Sequence, residues 1–108
     1  MPARRPAPAD PAPEPPARLR DLRNIGPAML RDFELLGVKT VAQLAKQDAD
    51  KLYSRMCVVS GVRQDPCVHD TYAAAIHQAR TGEALNWWAF TPARKKQQQA
   101  GAFPEFRR

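Results

Sequence analysis

A chain of 108 residues with a formal charge of +6 has room for one domain and little else. Two cysteines are too few for the disulfide scaffold of a small secreted domain, so reduced thiols in a cytoplasmic protein are expected. No secretory leader, transit peptide or apolar run of bilayer-spanning length is legible, and no membrane association is expected.

In chain order, residues 1–16, "MPARRPAPADPAPEPP", hold seven of the eleven prolines. Proline fixes φ and donates no amide, so this Pro/Ala-rich arm should be disordered rather than packed. Residues 17–93 then read as an all-α, compact five-helix domain. Leu19, Leu22 and Ile25 are spaced for a short first helix. A turn follows at Asn24-Ile25-Gly26, with Gly26 supplying positive φ and Asn24 also tolerating it. Pro27 suits the first position of a second helix, which lines up Met29, Leu30, Phe33 and Leu36 until Gly37 closes it. Thr40 with Gln43 reads as a capping box for a third helix burying Val41, Leu44 and Ala45. Asp48 caps a fourth, burying Leu52, Tyr53, Met56 and Val59. Asp65-Pro66 opens a fifth with a buried stripe of Val68, Tyr72, Ala75, Ile76 and Ala79, ended by Gly82. No segment reads as a strand. Residues 94–108 are basic, glutamine-rich and aperiodic, and are expected to form a disordered tail.

The positive charge is unevenly placed. Residues 19–93 carry nine Lys/Arg against eight Asp/Glu, whereas Arg94, Lys95, Lys96, Arg107 and Arg108 face only Glu105 in the tail. A near-neutral core implies that any grip on nucleic acid there relies on something other than cationic side chains; the tail alone would add non-specific attraction.

The turn supplies such a grip. Reversal into a second helix leaves the backbone amides of Ile25, Gly26, Ala28 and Met29 at a helix N-terminus, where unpaired N–H groups and the dipole favour an anion such as a DNA phosphate. Arg23 and Arg31 flank the turn and Lys39 lies beside the second glycine turn, as side-chain contacts for neighbouring phosphates. The plainer alternative is a structural corner or a protein-docking surface, with these three residues as solvated charges.

Residues 19–36 resemble a helix-hairpin-helix motif, with Asn24-Ile25-Gly26 where that motif usually shows Gly-hydrophobic-Gly. The resemblance implies a SAM-like fold and DNA binding without sequence preference through backbone amides. The departure at Asn24 puts a side chain where a strand would approach. Over residues 19–91, "DLRNIGPAMLRDFELLGVKTVAQLAKQDADKLYSRMC", then "GVRQDPCV" and "WWAFT", the chain is similar to the bacterial pathogenicity-locus family, whose members are often labelled mitomycin resistance proteins.

Cys57, Cys67, His69 and His77 do not have the spacing of a metal site. On a helix, Cys67 and His69 lie about 200° apart, and His69 and His77 are separated by about 12 Å along the axis. The thiols read either as core residues or as a redox pair, Cys57 with Cys67, the latter near a helix N-terminus that lowers a thiol pKa. Of Trp87 and Trp88, one should seal the core and the other stay partly exposed, for a base, a partner or a dimer contact. No catalytic motif or cofactor signature is present, so a non-enzymatic module is expected: a DNA-binding accessory protein, or alternatively a protein-interaction module.

Overall fold

A computed structural model describes residues 14–104; most of the Pro/Ala-rich arm and residues 105–108 lie outside the described residues. The class expected from periodicity is the class found. Five α-helices follow one another, α1 Pro27–Leu36, α2 Val41–Ala45, α3 Ala49–Ser60, α4 Pro66–Thr81 and α5 Thr91–Gln99, with 3-10 turns at Leu19–Asp21 and Trp87–Phe90 and no strand among the described residues.

The helix boundaries follow from local chemistry. Pro27 and Pro66 occupy first-turn positions, where a missing amide costs no hydrogen bond. Thr40 Oγ1 accepts from the Gln43 amide at 3.0 Å, while the Gln43 side chain accepts from the Lys39 amide at 2.7 Å. The box therefore closes one residue further out than the usual reciprocal pair. Gly37, at φ 78°, ends α1 in the left-handed conformation that glycine tolerates best. Two arginines complete the C-termini: Arg55 Nη2 donates to Leu36 O at 2.7 Å, and Arg80 donates to Ala45 O and Gln47 O at 2.6 and 2.8 Å. Each satisfies carbonyls that the helix itself leaves open.

The core is built on α4. Phe33 and Leu36 from α1, Leu44 from α2, and Leu52, Tyr53, Met56 and Cys57 from α3 pack with Tyr72, Ala75, Ile76 and Ala79. Within it the Phe33 and Tyr72 rings lie 5.8 Å apart. Three members of the expected stripes differ: Val59 is exposed, and Ala45 and Val68 are half-buried.

Two expected elements differ more. In place of a first helix there is only the 3-10 turn at Leu19–Asp21. Its amide bonds, Asp21 to Arg18 O and Leu22 to Leu19 O, each at 3.1 Å, close three-residue rings; Leu22 is already extended. Seven residues between Pro16 and Asn24 are too few to nucleate an α-helix against its initiation cost.

The basic segment expected as a tail is instead helical through Gln99, and it enters the core. Asp70 on α4 is 0% exposed and meets three donors from α5. Thr91 Oγ1 donates to it at 2.8 Å, and Arg94 donates through Nε at 3.1 Å and Nη2 at 3.0 Å. Gln97 Nε2 donates both to Asp50 Oδ2 at 2.9 Å and to Ala102 O at 3.1 Å, which turns the chain back. Phe103 then packs against Tyr53 and His69, with ring centroids 5.1 and 5.0 Å away. α5 is a polar helix held by one buried ion pair and one aromatic anchor, and neither leaves a hydrophobic period in the sequence. The folded unit therefore runs to at least Phe103 rather than stopping at residue 93.

Candidate nucleic-acid interface

The turn before α1 is shaped by Asn24 rather than by Gly26. Asn24 is the non-glycine residue at positive φ, 73°, among the described residues, while Gly26 has φ −112° and ψ −174°, an extended conformation open to any residue. A Cβ built on Gly26 meets nothing within 4 Å. The fold thus requires no glycine at this exposed position.

Asn24 does a second job. Its Nδ2 donates to Leu85 O at 2.9 Å, and its Oδ1 accepts from the Trp87 amide at 3.1 Å. The side chain that a sequence reading places in the path of an approaching strand is turned onto the segment 85–87 and used there. Beside it, the Arg23 amide donates to Gln78 Oε1 at 2.8 Å, tying the turn to α4. Ile25 is half-buried against the core, as expected of the hydrophobic position of the turn.

Of the four amides expected to be free for an anion, one is bonded within the turn. The Ile25 amide donates to Leu22 O at 3.3 Å. Those of Gly26, Ala28 and Met29 have no acceptor among the described residues, and α1 begins immediately at Pro27. Leu30 is the first residue whose amide closes a helical bond, to Gly26 O at 3.0 Å. Gly26 and Ala28 are exposed and Met29 is half-buried. Arg23, Arg31 and Lys39 are exposed, and their side chains make no hydrogen bond or ion pair among the described residues. These cations lie before, within and after α1. Only Arg23 and Arg31 bracket the turn; Lys39 stands beyond the far end of the helix.

The two cysteines stand in different surroundings, Cys57 buried and Cys67 half-buried. Both are free. Cys57 is fully buried, and its Sγ accepts from the Gln64 amide at 3.4 Å. Cys67 does sit in the first turn of α4, but the Asp65 side chain caps that turn, accepting from the Cys67 amide at 2.8 Å. The same carboxylate holds the Cys67 thiol above its usual pKa, chiefly by hydrogen bonding, with burial adding to it and Arg94 opposing it. The expected lowering by the helix terminus is overturned by the capping carboxylate. Asp65 itself is held below the usual carboxylate range, first by the Cys67 backbone amide.

His69 and His77 belong to separate places. His69 Nε2 lies 2.6 Å from Asp50 Oδ1 inside the aromatic cluster, and His77 Nε2 lies 2.7 Å from Glu83 Oε1 at the surface. Among the described residues no group of three His, Cys, Asp or Glu could hold a metal ion. Neither tryptophan seals the core as expected: Trp87 is half-buried and stands outside the core cluster, and Trp88 is 58% exposed. Phe103 joins the core instead, against Tyr53 and His69, and carries no signal in the sequence because it lies in the aperiodic segment. The buried pair Asp70 and Arg94 was equally hidden; their spacing of 24 residues carries no pattern.

No described helix is long and apolar enough to cross a membrane. No solved structure matches the chain. It is 42% identical over 78 residues, 72% of its own length and 74% of the relative's, to a protein of Streptomyces lavendulae named mitomycin resistance protein McrB. Residues 13–96 match the family model described as Cdd1, pathogenicity locus, a span that reaches from before the 3-10 turn through Arg94 on α5. The chain belongs to the pathogenicity locus family.

Proposed function

We propose that this is a small, non-catalytic, cytoplasmic DNA-binding protein whose turn at residues 23–29 works as a helix-hairpin-helix element, holding a phosphate on backbone amides without reading sequence. The observation that carries the reading is Gly26. The residue is exposed, has no strained φ and has no neighbour that a side chain would strike. A glycine that the fold does not need is explained by something outside that must come close to the backbone. The three unpartnered amides around it, at the positive end of a ten-residue helix, supply donors for that visitor. Arg23 and Arg31 add charge at its edges.

Anisotropy titrations of a labelled duplex with the full chain test this. Affinity should fall with rising salt at a slope of about −0.9 per phosphate contacted. Gly26→Val should weaken binding about tenfold or more while leaving the unfolding midpoint nearly unchanged. Equal affinity for wild type and Gly26→Val, in a chain shown to be folded, would sink the proposal. The C-terminal segment cannot be cut away as a control, since Arg94 and Phe103 are structural. Lys95→Gln with Lys96→Gln is the proper way to subtract its charge. A protein-docking reading has its own support in the exposed apolar side chains of Leu35, Val58, Val59 and Val62.

A further inference from the structure

Asn24 brings together two stretches 61 residues apart, the turn at 22–31 and the segment 84–96. Neither stretch contains an Asp or Glu. The three carboxylates that border them are already engaged: Asp21 with Arg18 at 3.3 Å, Asp32 with the Tyr72 hydroxyl at 3.2 Å, and Glu83 with His77 at 2.7 Å. Arg94 is committed to Asp70, so the cations left open to solvent are Arg23, Arg31, Lys95 and Lys96. The joined surface is complementary to a polyanion.

An aromatic ring stands on the segment that Asn24 holds. Trp88 is 58% exposed although it follows a half-buried Trp87, and the two rings meet nearly perpendicular, 83° apart with centroids at 5.6 Å. An edge-to-face contact of this kind steadies a ring without covering it. The backbone beneath is fixed on both sides. The Trp87 amide is held by Asn24, the Ala89 amide donates to Asn86 O at 3.0 Å, and Thr91 is bonded to the buried Asp70. Gly26 follows Asn24 by two residues, a backbone reach of at most about 7 Å. An open indole on a fixed backbone held by Asn24, with Arg23 and the unpartnered amides close to Asn24 in the chain, offers separate partners for a π-face and for a phosphate. A nucleic-acid strand carries both, but only an unpaired base presents its face.

We infer that Trp88 is a stacking platform for an unpaired DNA base, so that the preferred ligand is DNA with a single-stranded or bulged nucleotide rather than intact duplex. This rests on the phosphate-binding reading of the turn. The test is anisotropy of the full chain with three oligonucleotides of equal length: a duplex, the same duplex with an unpaired base, and a single strand. The variants are Trp88→Ala, Trp88→Phe and Gly26→Val, each checked by circular dichroism. Wild type should prefer the DNAs with unpaired bases by about tenfold, the scale of one base–aromatic stack. Trp88→Ala should abolish that preference, Trp88→Phe should restore part of it, and Gly26→Val should weaken all three. Binding of the single strand should also quench indole fluorescence. Equal affinity of wild type for paired and unpaired DNA, or a preference that survives in Trp88→Ala, overturns the inference while leaving the phosphate reading intact if Gly26→Val still weakens duplex binding. Absence of binding to all three DNAs overturns both.

Discussion

Replacing Arg94 with Met removes the guanidinium but keeps most of the apolar stem. Asp70 would then remain 0% exposed with the Thr91 hydroxyl, 2.8 Å away, as its nearest donor. An ionised carboxylate left in that position keeps its desolvation penalty and loses its counter-charge, which costs about 3–5 kcal/mol. Against about 5–14 kcal/mol of total stability for a domain of this size, the loss is large. Urea unfolding followed by circular dichroism should show it as a lowered midpoint, and the thermal midpoint should drop by more than about 10 °C. The pair also predicts an asymmetry. Adding Asp70→Asn to Arg94→Met removes the stranded charge, so the double variant should recover most of the loss instead of summing two defects. A cost for Arg94→Met below about 1 kcal/mol, with simple additivity in the double variant, would refute the reasoning and return Arg94 to the role of a surface charge.

Asn24→Gly preserves the positive φ but deletes both side-chain bonds to residues 85–87, and should lower stability by about 1–2 kcal/mol in denaturant titrations, where glycine at such a φ is otherwise neutral or better. Asn24→Ala adds backbone strain and should be worse by about 1 kcal/mol. Asp32 has its carboxyl pKa raised above 3.8, mainly by burial, with Tyr72 and Arg31 opposing the rise. Its contribution to stability is therefore fully present below the unfolded pKa and is lost as pH rises through the folded one. Asp32→Asn should be as stable as wild type in acid and more stable at neutral pH, as measured by thermal midpoints across that range. The Cys67 thiol, held up first by Asp65, should react slowly with iodoacetamide at mildly alkaline pH, and Asp65→Asn should speed the reaction several-fold.

The helices α1 to α4 were legible because each is announced locally. Pro27, Thr40, Asp48 and Asp65 mark starts, Gly37, Gly61 and Gly82 mark ends, and the apolar stripes between them face one core. The turn at 23–29 was legible in kind but not in detail. Chain chemistry shows that a left-handed residue is needed there; whether Asn24 or Gly26 provides it depends on what the Asn24 side chain finds 61 residues later. α5 was invisible for a related reason. Its one fully committed charge, Arg94, reads as solvated until Asp70 is known to be buried opposite it. The lone-pair capacity of Asp65 reversed the expected effect on Cys67, although the two residues are neighbours in sequence. A helix dipole lowers a thiol pKa only where no carboxylate caps the same turn, and here Asp65 does.

The bond from Asn24 to the backbone of 85–87 has a consequence for when the protein becomes competent. A chain emerging during synthesis exposes residues 19–36 early, yet the partner that fixes their reversal arrives only with Leu85 and Trp87, and its own anchor only with Thr91 and Arg94. The turn is thus finished late, after nearly the whole chain has been made. A fragment of residues 17–40, or a product truncated before residue 85, lacks both partners of the Asn24 side chain, and its turn should be unstructured by nuclear magnetic resonance.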